Sequence, residues 1–110
     1  MPAFEVAEVK DRLIEAGGGY EVVHESPGLE IGVYVLVAPE PDRQVPHDFD
    51  EVYVVLDGEG DIDVEGDVLH LEKGGEAVFV GAGDEHHFSG YEALSLLVVF
   101  NGAHSASKRV

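Results

Sequence analysis

Two stretches of the 110-residue chain hold side chains that could do metal or acid-base chemistry. The first runs Val45-Pro46-His47-Asp48-Phe49-Asp50-Glu51-Val52-Tyr53 and continues to Gly58; the second runs from Gly75 through Gly81-Ala82-Gly83-Asp84-Glu85-His86-His87 to Phe88. The chain has no cysteine, so a metal ion here must be held by imidazole and carboxylate. On one continuous strand His47 and Glu51 would share a face but stand roughly 13 Å apart, at about 3.3 Å per residue, too far to hold one ion. A bend is therefore required between them. Pro46 lacks a ladder donor and Asp48 and Asp50 are poor strand formers, so residues 48–50 read as a turn, with His47 closing one strand and Glu51 opening the next. A helical His-x3-Glu pair is the competing geometry, and the β-branched run after Glu51 argues against it. Neighbouring strand residues point to opposite faces, so only one of His86 and His87 can face inward. Any one of these histidines alone is more often a surface or satisfied core residue than a ligand; two turn-bounded histidine sites together favour a ligand role.

Other polar residues fall near these stretches. Tyr53 shares parity with Glu51 and Val55, which points it inward, either to orient a ligand and donate a proton or to fill space with its hydroxyl hydrogen-bonded. Arg43 and Gln44 precede His47 and are expected at the mouth of the pocket or in exposed loop. Asp50 is expected to cap the turn or meet solvent, and His24, His70 and His104 match no motif.

The elements that must position these residues are mostly strands. Val6, Val9, Leu13 and Ile14 recur at helical spacing and Gly17-Gly18-Gly19 ends that pattern. The rest reads as short strands at Tyr20 to His24, Leu29 to Val37, Glu51 to Asp57, Asp61 to Glu65, Val68 to Leu71, Ala77 to Val80 and Ala93 to Phe100, with another starting at the His86-His87 pair. Glycine, proline and aspartate turns recur every 8 to 12 residues or so between them, the pattern of an antiparallel sandwich or barrel. The expected organisation is an N-terminal helix and linker over 1–19, an all-β unit over 20–100 and a flexible tail over 101–110.

Over roughly residues 30 to 100 the chain resembles the small single-domain members of the cupin superfamily. The first cupin motif, His-x-His-x3 or x4-Glu-x6-Gly, is matched by His47, Glu51 and Gly58; the second, Gly-x5-Pro-x-Gly-x2-His-x3-Asn, by Gly75, Gly83 and His86. Val45 stands where the first histidine would be, Gly81 replaces the proline and Gly90 the asparagine. The resemblance implies an antiparallel cupin-type β-barrel, or jelly roll, behind a short N-terminal helix. It also implies a metal set of His47, Glu51 and His86, one ligand short of the family's usual four, with His87 facing away. Such a 2-His-1-carboxylate set leaves positions open for water, substrate or dioxygen and suits Fe, Mn, Ni, Cu or Zn alike. The alternative is a metal-free barrel whose pocket these residues line. Relatives of this kind include dioxygenases, isomerases and decarboxylases, so the expected function is chemistry on, or plain binding of, a small polar molecule. Restoring a histidine at Val45 is expected to strengthen metal binding if the register is right.

Composition narrows the partners. Twenty-three acids against six Lys and Arg give a net charge of −17, which disfavours nucleic acid and anionic membrane surfaces. No apolar run approaches the 18 or so residues of a membrane span, and the start of the chain lacks a basic signal region, so a cytoplasmic protein is expected. The scarcity of lysine suits a salt-rich cytoplasm in which self-repulsion is screened. Val52 to Leu56 and Leu94 to Phe100 are apolar on both faces, so one face needs cover, and a homodimer is expected to supply it unless the N-terminal helix does.

Overall fold

A computed structural model describes residues 3–102. The expected tail therefore lies outside the described residues except for Asn101 and Gly102, as does His104. Helix α1 (Val6–Glu15) is followed by eight strands: β1 (Gly19–Ser26), β2 (Leu29–Val37), β3 (Glu51–Gly58), β4 (Gly60–Val64), β5 (Asp67–Leu71), β6 (Ala77–Val80), β7 (His86–Ser89) and β8 (Ala93–Phe100). All pairings are antiparallel. They form a five-stranded sheet in the order β1-β2-β8-β3-β6 and a three-stranded sheet in the order β5-β4-β7. The hydrogen-bond ladders do not close into a cylinder, so the jelly roll is two sheets enclosing one core between their inner faces.

Alternation sets that core. Glu51, Tyr53 and Val55 of β3 are buried while Val52, Val54 and Leu56 between them are only half-buried, and β8 buries Leu94, Leu96, Val98 and Phe100. Across the core, Ile62 of β4 and Phe88 of β7 are register partners and both are buried. The register also pairs Glu51 with Phe100 on one side and with Val80 on the other, so the candidate glutamate enters the core from an interior strand of the larger sheet, next to its β6 edge. Gly58, the closing glycine of the first motif, has φ +84° and lies so close to the Ala93 carbonyl that a β-carbon would collide with it. Only glycine meets both demands at the β3–β4 turn.

Helix α1 covers part of the outer face of the larger sheet. Its Val9 is buried against Val33 and Val35 of β2, with Val6 and Leu13 alongside. Ile14, although it fits the helical period, is exposed. Farther along the same face Val52, Val54 and Val99 are half-buried and Phe79 of β6 is 62% exposed. Among the described residues no helix is long and apolar enough to cross a membrane.

The structure corrects one element. His47 does not close a strand, because residues 38–50 form no strand at all. Pro39, Pro41 and Pro46 cannot donate to a ladder, and the segment is fixed by scattered bonds. Gly83 N–H donates to the His47 carbonyl (2.7 Å), Asn101 N–H to the Asp50 carbonyl (3.2 Å) and Ala82 N–H to Asp50 Oδ1 (2.9 Å). Gly83, at φ +82°, supplies the left-handed turn that brings its amide to His47. Asp50 thus ties the β2–β3 connection to the β6–β7 turn.

Candidate metal centre

These ties bring the two motifs together. His47 arrives from the irregular segment, Glu51 from the first position of β3 and His86 from the first position of β7. One ligand atom from each lies within 4.8 Å of the others, and all three residues are buried, at 2%, 1% and 2% exposure. Nε2 of His47 is 3.5 Å from Glu51 Oε1, and Nε2 of His86 is 3.0 Å from the same oxygen. The Phe100 ring stands edge-on to His47 with centroids 5.3 Å apart, which holds the imidazole in place. His87 is exposed, as strand alternation requires once His86 faces inward.

The protonation pattern suits a cation. Nδ1 of His86 is 2.9 Å from the Asp84 backbone carbonyl, which can only accept, so the neutral ring carries its proton there and turns a bare Nε2 toward Glu51. Neither oxygen of the buried Glu51 carboxylate has a well-formed hydrogen bond, and the short contact at Oε1, 3.0 Å, is with His86 Nε2. Burial pushes the Glu51 carboxyl above its usual range, and neighbouring His86 opposes that rise without cancelling it. On His86 burial pulls the other way, but Glu51 and the Asp84 carbonyl outweigh it and raise the imidazole. A divalent ion among the two Nε2 atoms and Oε1 would satisfy all three, so the residues present fit a metal.

Tyr53 completes the inner wall. Its hydroxyl donates to Gln44 Oε1 at 2.8 Å and lies 3.1 Å from His86 Nε2, while its ring packs edge-on against Phe88. Burial, then the Glu51 charge, pushes this phenol well above its ordinary value, so it stays protonated as a donor.

Gln44 is the residue that sequence reasoning placed elsewhere. It is 3% exposed rather than at the mouth, and its Oε1 is 3.2 Å from both His47 Nε2 and His86 Nε2. Val45, one position on, is 54% exposed and does not occupy the place of the absent first histidine. The motif spacing misleads here because residues 41–47 are not a strand and face alternation does not apply to them. Nothing local to Gln44 signals its inward turn. Arg43 stays outside, 3.8 Å from Glu40.

A second group with ligand geometry lies on the surface. Glu59, His70 and Glu72 place their ligand atoms within the same 4.8 Å, all three exposed. His70 Nδ1 is 2.7 Å from Asp61 Oδ1 and its Nε2 is 3.2 Å from Glu59 Oε2.

No family model matches the sequence. An uncharacterized protein of Streptomyces coelicolor is 34% identical over 102 residues, 92% of this chain and 96% of that one. An RmlC-like cupin from Shewanella frigidimarina superposes with a TM-score of 0.68 at 19% identity over 79% of this chain and 78% of its own. This chain folds as a cupin domain. Two enzymes share the cupin fold. The DMSP lyase DddQ of Ruegeria pomeroyi gives a TM-score of 0.69 at 25% identity, over 77% of this chain and 47% of the lyase. Salicylate 1,2-dioxygenase of Pseudaminobacter salicylatoxidans gives 0.74 at 16% identity, over 86% of this chain and 33% of the dioxygenase. This cupin thus spans about half the lyase and a third of the dioxygenase, and at these identities the dioxygenase likeness is one of fold.

Proposed function

We propose that this cupin binds one divalent metal ion through His47, Glu51 and His86 and uses the positions they leave open to act on a small polar molecule, in oxygenase or isomerase chemistry. The observation that carries the reading is the Glu51 carboxylate, buried and accepting no hydrogen bond, with two imidazole nitrogens turned toward it. Two fold relatives, a lyase and a dioxygenase, work on small molecules, which supports the substrate class. An ion held there supplies Lewis-acid polarisation of a substrate oxygen.

The protein's own part is positional. The phenol of Tyr53 keeps its proton at Oη, where it donates to the Gln44 carbonyl beside His86 and can turn to an oxygen of a bound molecule. Phe88 and Phe100 keep bulk water from the ligand atoms, which strengthens each polar contact inside. The same proposal takes the cupin to be a cytoplasmic homodimer paired through the face of Val52, Val54, Val99 and Phe79, with no nucleic-acid or membrane partner for a chain of charge −17.

A second reading, a non-catalytic cupin that stores or senses a small ligand, is favoured by burial. His47, Glu51, His86 and Gln44 are all at most 3% exposed, so a molecule of more than a few atoms reaches them only if the residues around them move. One experiment separates the two. Untagged protein is assayed for bound metal, then for oxygen uptake with Fe(II) over a panel of phenols, thiols and keto acids. Uptake dependent on His86 supports the oxygenase branch and isomerisation of a panel compound the isomerase branch, whereas bound metal with neither supports the binder.

A further inference from the structure

We infer that Gln44 is a fourth metal ligand of this cupin, its side-chain carbonyl oxygen taking the place of the histidine missing from the first motif. The inference rests on the reading of the pocket as a metal site and adds to it a residue that the motif does not mark. Three observations carry it.

The first is distance. Donor atoms each about 2.1 Å from one ion, at angles between 90° and tetrahedral, lie about 3.0 to 3.4 Å from one another. Gln44 Oε1 is 3.2 Å from His47 Nε2 and 3.2 Å from His86 Nε2, while Glu51 Oε1 is 3.5 and 3.0 Å from the same two nitrogens. The amide oxygen and the carboxylate oxygen thus stand in equivalent relation to the imidazole pair.

The second is orientation. An amide can present its oxygen or its nitrogen to the pocket, and here the choice is forced by Asp42. Gln44 Nε2 donates to Asp42 Oδ2 at 2.7 Å, and that carboxylate can only accept. Asp42 is itself held by the Tyr34 hydroxyl at 2.7 Å, by Gln44 N–H at 3.3 Å and by Phe88 N–H at 2.8 Å. The carbonyl therefore points inward because its other end is fixed from β2 and β7, and Asp42 acts as a positioning residue.

The third is lone-pair accounting. With the His86 proton on Nδ1, its Nε2 and Gln44 Oε1 are two acceptors facing each other in a buried space, and Glu51 Oε1 is a third. Tyr53 brings one proton, already given to Gln44 at 2.8 Å. With His86 neutral, that hydroxyl and at most one N–H from His47 Nε2, 3.2 Å from the same amide oxygen, face three converging acceptors, and a shared cation satisfies all of them.

The test is cobalt titration of the full chain, followed by visible absorption, which reports ligand number and geometry without any turnover. Wild type, Gln44→Leu, Gln44→Met and His86→Ala are compared, with circular dichroism to verify folding. The inference expects Gln44→Leu to bind Co(II) at least about tenfold more weakly and with a shifted visible spectrum. Gln44→Met, unbranched and of similar length, repeats the measurement if the leucine variant does not fold. Equal affinity and a superimposable spectrum in the Gln44 variants, with binding lost in His86→Ala, would overturn the role of Gln44 and leave the three-ligand site standing. Binding by His86→Ala equal to wild type would overturn both.

Discussion

The two histidine-carboxylate groups among the described residues of this cupin differ in one physical respect. His47, Glu51 and His86 are buried, whereas Glu59, His70 and Glu72 are exposed, although both groups bring their ligand atoms within 4.8 Å. On the surface, water solvates each carboxylate and His70 takes Asp61 as partner, so nothing there demands a metal. In the core, Glu51 is 1% exposed and neither of its oxygens has a hydrogen-bond partner among the protein groups, and the side chains around it are fixed by Phe100, Asp84 and Asp42. Proximity of ligand atoms is thus common to both places. What separates them is an unsatisfied buried charge and an organised surround.

The largest effect expected from this difference is on metal content. His86→Ala should reduce bound metal from about one per chain to less than about a tenth, while His70→Ala and His87→Ala should leave it unchanged, as read by elemental analysis of untagged protein. A loss in His70→Ala equal to that in His86→Ala would erase the distinction between the two groups.

The next effect is on pH dependence. Metal must displace the proton that a raised His86 holds, so affinity should rise with pH and level off only above the raised value, with proton release measurable by calorimetry. The metal-free protein should behave the opposite way. Both Glu51 and His86 are raised in the folded state, so at these two sites the folded chain holds more protons than the unfolded one, and the stability they contribute is lost as pH increases past 4.5 and then past 6.5. Melting curves across pH 4 to 8, with and without Zn(II), would reveal opposite slopes.

A smaller change is expected from Glu51→Gln. It removes a buried charge, so the metal-free variant should be more stable than wild type by about 1 to 2 kcal/mol while losing metal binding. Urea unfolding of both chains after chelation measures this, and a destabilised variant would argue that Glu51 is already well paired without an ion.

The smallest effect belongs to the surface group. The hydrogen bond to Asp61 raises His70, so its protonated form contributes stability below pH 6.5 that fades as pH passes through the raised folded value. Its proton resonances should titrate above 6.5, and Asp61→Asn should bring the midpoint down with little change in melting temperature.

Much of the framework is legible in the sequence because it depends on local signals. Alternation marks β3 and β8, and glycines at 58 and 83 mark turns that demand φ above zero. His47, Glu51 and His86 stand out because they are polar residues bordering apolar strands. Gln44 does not, since its direction is imposed by Asp42, which depends on Tyr34 and on an amide 46 residues away at Phe88. Long-range hydrogen bonding of that kind leaves no periodic trace. Glu30 is hidden for the same reason: it sits within an apolar strand pattern, yet it is fully buried and accepts the Tyr20 hydroxyl at 2.6 Å.

The most direct test of the buried centre is anomalous diffraction from crystals of this cupin soaked in Zn(II). The account predicts one strong peak about 2.0 to 2.2 Å from His47 Nε2, Glu51 Oε1 and His86 Nε2. A pocket without a peak, or a peak at Glu59, His70 and Glu72 alone, would contradict it.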